Sequence, residues 1–179
     1  MSKSTLTPPE PKTEPHWKKF SLPIQIGSGR NFTPGESGMR LAFYRNEKDN
    51  SLVGRIWFGE GIEGPPKHVH GGVSSYVLDE ALGSASWLSG YAAVAANLNV
   101  DFLEMTPIGV DLLVEAHIVK VEGQTVIVHA QIKDEQGLIY SKAVGRFHRL
   151  PKKKLAKVFA TIGLSVDNLN LKFIEDGHA

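Results

Sequence analysis

Pro65-Pro-Lys-His-Val-His-Gly-Gly-Val-Ser-Ser-Tyr-Val-Leu-Asp-Glu-Ala-Leu-Gly83 is the stretch on which the reading of this 179-residue chain turns. A loop containing two prolines runs into His68-Val-His70-Gly71-Gly72, and a long apolar periodicity starts there. Val73, Tyr76, Val77, Ala81, Ser84 and Leu88 recur at three- and four-residue spacing, which predicts a helix over 72–90. Such a helix runs roughly 30 Å, the span of a small domain. Ala81 and Gly83-Ser-Ala-Ser86 give it a middle of small side chains, which lets its backbone lie close against a curved sheet. Gly90 is the expected stop.

Strand patterns flank this helix on both sides. Before it, Met39, Leu41 and Phe43 alternate with Arg40, Ala42 and Tyr44. A polar turn at 46–51 then leads into Leu52–Phe58, which reads as a hairpin. After the helix come Ala93–Leu103, Asp111–Val121, Thr125–Lys133 and Leu138–Leu150. They are separated by Pro107 and Gly109, by Glu122-Gly123-Gln124, and by Asp134–Gly137. Turns this short imply antiparallel neighbours. The expected class is α+β, an antiparallel sheet of about six strands with one long central helix on one face. Residues 39–150 form that domain. Residues 1–38, with Pro8, Pro9, Pro11 and Pro15 and then a Gly/Ser/Asn-rich run, read as an arm, partly mobile and partly irregular. Residues 151–179 read as a tail or a short terminal helix.

Composition narrows the classes of function. Hydrophobic residues make up 41% and charged residues 22%, values that suit one soluble globular domain. With no cysteine there is no disulfide framework, no thiolate zinc site and no cysteine nucleophile, a pattern compatible with a reducing cytoplasm. The net charge is +1, from 20 basic and 19 acidic residues. The one compact basic run, Lys152-Lys153-Lys154, reads as a solvated face, so no nucleic-acid partner is expected. No apolar run approaches the roughly 20 residues that span a bilayer, and no signal peptide is visible. A cytoplasmic protein without a membrane span is the expectation.

The chemistry points back to the opening stretch. Two glycines at a helix start allow a ligand to approach the backbone. The first N–H groups of a helix lack internal acceptors, and the helix dipole makes that end electropositive. An oxyanion formed there in acyl transfer would be stabilised. Asp79 lies two turns further on, and aspartate in a small, apolar helix interior needs a reason. By position it shares a face with Gly72, Ser75 and Ser86, so it either projects into a groove or is an exposed carboxylate beside Glu80. His70 is either a positioning group or a loop histidine bonded to backbone. His68 and His70 alternate as a metal pair would, yet no third ligand stands at diagnostic spacing, so no metal is expected. Gly59-Glu-Gly-Ile-Glu-Gly64 opens no helix and is a loop, not a dinucleotide site. A Gly-x-Ser-x-Gly elbow is absent. Trp57 and Trp87 read as core or interface residues.

Taken together, His70-Gly71-Gly72, Asp79 in Leu78-Asp-Glu-Ala-Leu-Gly83, and Asn97-Leu-Asn-Val-Asp-Phe102 resemble the hotdog-fold acyl-CoA thioesterases of the phenylacetate-pathway and THEM4-like branch. Pro107-Ile-Gly109, Val119-Lys-Val-Glu-Gly123 and Ala143-Val-Gly-Arg-Phe147 carry the likeness more diffusely across 39–150. The resemblance implies a sheet wrapped around the long helix and hydrolysis of an acyl-CoA without a cofactor. It implies Asp79 as nucleophile or general base, Gly71 as N–H donor to the thioester carbonyl, and His70 beside that carbonyl. Gly72, Ser75 and Asn97 are the expected substrate contacts, and Lys142 and Arg146 are candidate nucleotide contacts by charge alone. It also implies a homodimer or a dimer of dimers with the acyl group at the subunit interface. Some members place Thr or Ser sixteen residues after the Asp to assist water, where this chain has Ala95. That departure keeps open a catalytically silent acyl-CoA-binding protein, and the fold also admits a hydratase or dehydratase.

Overall fold

Alternation along Thr125–Lys133 decides which way the sheet faces. Val126, Val128, Ala130 and Ile132 are fully enclosed, while Ile127, His129 and Gln131 stand on the opposite surface. The computed structural model describes residues 6–22, 38–161 and 163–172. In chain order it contains β1 (Trp17–Phe20), β2 (Met39–Asn46), β3 (Leu52–Phe58), α1 (Gly71–Leu88), β4 (Ala93–Phe102), β5 (Asp111–Glu122), β6 (Thr125–Lys133), β7 (Ile139–Arg149) and α2 (Lys152–Ala160). The strands form one antiparallel sheet in the order β1-β2-β3-β5-β6-β7-β4. Because α1 intervenes between β3 and β4, β4 is carried across to the far edge beside β7, while β5 takes the place next to β3.

The expected strands and the long helix are all present, with one strand more than expected. Within the proposed arm, Trp17–Phe20 pairs with β2, setting Trp17 opposite Asn46 and Phe20 opposite Phe43. Part of that arm is therefore ordered sheet, because the Trp17 ring reaches Tyr44 at 5.9 Å and Phe20 joins the main core. Residues 1–5 and 23–37 of the arm lie outside the described residues. At the other end, the expected short helix is α2. Its Leu155 and Phe159 build a second small core with Ala92, Val166 and the partly buried Trp87. Lys153 and Lys154 are exposed there and Lys152 pairs with Asp167 at 2.7 Å, as a solvated face would.

α1 lies across the inner face of β4 to β7, with β3 at its margin. Its buried stripe is Val77, Leu78, Ala81, Leu82 and Ala85. The stripe is rotated from the expected one. Val73, Tyr76 and Leu88 are only partly buried, and Ser86, expected beside Asp79, is fully enclosed. The sheet curves around the helix from one side and leaves a face carrying Gly72, Tyr76, Asp79 and Gly83 half-open. The helix stops as expected at Gly90, whose φ of +88° suits glycine. The Tyr91 N–H then reaches back to the Ser86 carbonyl and the Gly90 N–H to that of Trp87, both at 2.9 Å.

Close approach of helix and sheet depends on Gly145 in β7. A Cβ there would stand 2.6 Å from the Phe147 ring and 3.0 Å from Leu82 Cδ1 of α1. Gly145→Val is therefore expected to lower stability by about 1–3 kcal/mol through overpacking. Urea unfolding measures this, and an unchanged midpoint would mean that helix and sheet are less tightly opposed than described.

Candidate active site

The start of α1 is built by one residue. His70 is the N-cap, with extended backbone (φ −63°, ψ 130°). Its carbonyl accepts from the N–H groups of Val73 (2.9 Å) and Ser74 (3.3 Å), and its Nδ1 accepts from the Gly72 N–H at 3.0 Å. Because Nδ1 is an acceptor, a neutral His70 carries its proton on Nε2 and presents an outward donor. The remaining first-turn donor, the Gly71 N–H, has no acceptor among the described residues. The helix start is itself held in place: the His70 N–H donates to Ile62 (3.0 Å), the Val69 N–H to Thr106 (2.9 Å) and the Ile108 N–H to Lys67 (3.2 Å). His70 thus does bond backbone, as the plainer of its two readings has it, and that bond is what aims its other nitrogen outward.

Each of the two glycines lies beside a ring. A Cβ on Gly72 would stand 3.0 Å from His70 Nδ1, and a Cβ on Gly71 would meet the Phe102 ring at 3.4 Å. The need for glycine is therefore strongest at 72, where the imidazole must fold back over the helix start. At 71 the space admits a Cβ at ordinary contact distance.

Asp79 stands on the half-open face of α1 and is half-buried. It makes no hydrogen bond or ion pair among the described residues, and burial pushes its carboxyl above its ordinary value. Ser75, one turn before it, spends its hydroxyl hydrogen on the Gly71 carbonyl at 2.9 Å. Gly71, Gly72, Ser75 and Asp79 are thus brought onto one helix, but not to one point. Gly71 and Asp79 are eight residues apart, which is about 12 Å along the axis.

The other expected residues lie elsewhere. Asn97 pairs with Arg146 on the sheet surface opposite α1, and Lys142 of that same surface lies 3.8 Å from Asp101. None of them joins the helix face within this chain. Ala95 pairs with Phe147, whose side chain is enclosed against α1, so a hydroxyl at 95 would stand on the helix side of the edge strand. His68 directs Nδ1 to the Pro66 carbonyl at 2.8 Å, and no cluster of three metal-ligating side chains occurs among the described residues. Phe102 lies beside Gly71 although no sequence pattern singles it out. Half-exposed on an edge strand, it breaks no pattern, and only the fold brings it to Gly71.

Comparison with known proteins gives a consistent family. A family profile described as Thioesterase superfamily matches residues 66–140, the helix and the strands after it. Acyl-coenzyme A thioesterase THEM4 of Xenopus laevis is 28% identical over 141 residues, covering 75% of this chain and 63% of that protein. The chain spans between about half and two-thirds of its first curated relatives, 52% in THEM4 of Bos taurus. Among solved structures, the E. coli PaaI protein from the phenylacetic acid degradation operon has a TM-score of 0.53 at 25% identity, over 56% of this chain and 72% of that one. The BH2602 protein of Bacillus halodurans, solved with CoA, has a TM-score of 0.51 at 27% identity, over 57% of this chain and 70% of that one. With a long helix held against an antiparallel sheet and a profile match that spans that helix, the chain is similar to the thioesterase superfamily and carries the hotdog fold.

Proposed function

We propose that this protein hydrolyses acyl-CoA thioesters at a site assembled from two copies of the chain, with Asp79 supplied by one and the Gly71 N–H by the other. The observation that carries the proposal is a free N–H and an unpaired, half-buried carboxylate on the accessible side of the same helix. Attack on a thioester carbonyl places negative charge on its oxygen, and an N–H at the positive end of a helix stabilises that charge. Ionised Asp79 either attacks the carbonyl carbon or takes a proton from the attacking water. In the first route the CoA thiolate leaves and water opens the resulting acyl anhydride. Both routes yield the free acid and CoA, and the Nε2–H of His70 is placed to hold the carbonyl. The acyl-coenzyme A thioesterase names of the relatives and the CoA in the Bacillus structure support this substrate class.

Distance supports two copies. Separated by about 12 Å on one helix, Gly71 and Asp79 of the same chain do not both reach one carbonyl. A two-fold axis passing near Ser75, midway between them, sets Gly71 of each copy against the partner's Asp79. β4 supports such pairing, since it ends the sheet order and carries exposed Val94 and Phe102 along its edge. Dimer and dimer of dimers are separated by the mass measured in sedimentation. A cytoplasmic location belongs to the same proposal, supported by the cysteine-free composition; cell fractionation decides it.

Asp79→Asn has two expected effects of opposite sign. Release of CoA from an acyl-CoA panel, followed with a thiol reagent, should be lost. Tight binding without release by the wild type would instead identify the silent protein that Ala95 favours. Stability moves the other way. The folded chain holds the Asp79 proton more tightly than the unfolded chain. Wild-type stability therefore falls as pH rises from the ordinary value of 3.8 through the raised one, and stays lower above it. At neutral pH Asp79→Asn should melt above wild type, and the gap should close below pH 3.8. A variant that melts lower at neutral pH would mean that the carboxylate has a partner.

Subunit sharing is tested by complementation. Gly71→Pro deletes the donor with little disturbance: proline suits the first helical position, and the preceding residue must be extended, as His70 already is. Asp79→Ala and Gly71→Pro should each be inactive alone. Unfolded together and refolded, they should recover about a quarter of wild-type activity, since half the dimers are mixed and each has one intact site. No recovery in mixed dimers would place both groups in one chain.

A further inference from the structure

The free Gly71 N–H is useful as a donor only if it is fixed in place and kept from water, and one side chain is positioned to do both. Phe102 ends β4 with its ring 3.4 Å from where a Gly71 Cβ would stand. Its backbone is anchored from behind. It pairs with Ser141 of β7, and the next two N–H groups, of Leu103 and Glu104, both donate to the Tyr140 carbonyl at 2.9 and 3.0 Å. Yet the ring is not a core residue, for it is 56% exposed and sits beside exposed Leu103 and Met105. A large apolar side chain left in water at the end of an edge strand adds little to the core, so its value lies in what it touches.

We propose that Phe102 is a positioning residue for the Gly71 donor: its ring blocks movement of the first helical turn toward β4 and covers one flank of the N–H. Covering that flank lowers the local dielectric and removes competing water, which strengthens a hydrogen bond to a developing oxyanion. His70 fixes the neighbouring Gly72 N–H, so an imidazole and a phenyl ring lie against the first two residues of the helix. The catalytic part of this inference rests on the proposed hydrolysis, whereas the shielding of Gly71 does not.

The test compares Phe102→Ala, Phe102→Leu and Phe102→Tyr with wild type, each checked for a cooperative melt and an unchanged mass. Phe102→Ala should lower kcat between about tenfold and a hundredfold, as misplacement of a reacting group does, with KM moving less. Phe102→Tyr keeps the ring and should restore most of the rate, with Phe102→Leu between. Solvent exchange of the Gly71 amide, read by NMR with 15N-glycine labelling, should quicken severalfold in Phe102→Ala while the exposed-turn Gly123 amide is unchanged. A folded Phe102→Ala with wild-type kcat and wild-type Gly71 exchange overturns the proposal. If wild type releases no CoA from any acyl-CoA, hydrolysis fails as a reading, and the exchange comparison alone still decides whether Phe102 shields Gly71.

Discussion

Four N–H groups at the start of a helix need acceptors, in α1 those of His70, Gly71, Gly72 and Val73, and His70 itself satisfies two of them. His70 gives its carbonyl to Val73 and Ser74 and its Nδ1 to Gly72, leaving the Gly71 N–H alone. This allocation depends on the loop around it. His70 is held by Ile62, Val69 by Thr106 and Lys67 by Ile108, so the segment before the helix cannot swing away. A helix start capped by an acidic side chain would be just as stable, but it would carry a negative charge where an oxyanion is to form. Capping by a neutral imidazole keeps that end electropositive. The proposed chemistry draws on the same hydrogen bond that starts the helix.

The charged side chains show a parallel economy. Arg55, 2% exposed, lies 3.2 Å from Asp111 and 2.6 Å from Glu135, and Arg40 also pairs with Asp111. Buried charge in this fold is ordinarily matched by opposite charge. Asp79 is the contrast, half-buried, without a partner among the described residues, and pushed toward its neutral form by desolvation. A carboxylate left in that state destabilises the single chain slightly and is more basic than one in a salt link. Both consequences suit the role proposed for it.

Single-chain and assembled architecture meet at β4. The sheet closes over one side of α1 and ends at this strand, leaving the Gly72, Tyr76, Asp79 and Gly83 face half-open. The opposite end of the sheet is finished differently. There β1 adds a four-residue border to β2, and Phe43 lies over Gly54 across the β2–β3 pair, where a Cβ would come within 2.8 Å of the ring. One edge is thus bordered by the short strand β1, while among the described residues nothing borders the edge next to the proposed site.

Much of this was legible in the residues alone. Period-two runs marked β2 to β7 because half-buried strands alternate, and the three- and four-residue spacing after Gly72 marked α1. His-Gly-Gly followed by Asp79 marked the segment proposed to carry the chemistry, since helix starts and buried carboxylates have the same physics in any fold. β1 escaped notice because four residues amid prolines show no period, and the helix stripe was misplaced because small residues such as Leu78's neighbours Ala81 and Ala85 bury as readily as large ones. The placing of Asn97 on the far surface depends on the parity of the β4–β7 pairing, shifted by the irregularity between Ala95 and Asn97. The nearness of Phe102 to Gly71 depends on β4 running back along α1. Local sequence determined which groups are available, because capping, periodicity and charge act over a few residues. Only the tertiary structure decided which N–H and which carboxylate have no partner among the described residues and which ring lies beside Gly71, because those are contacts between segments far apart in the chain.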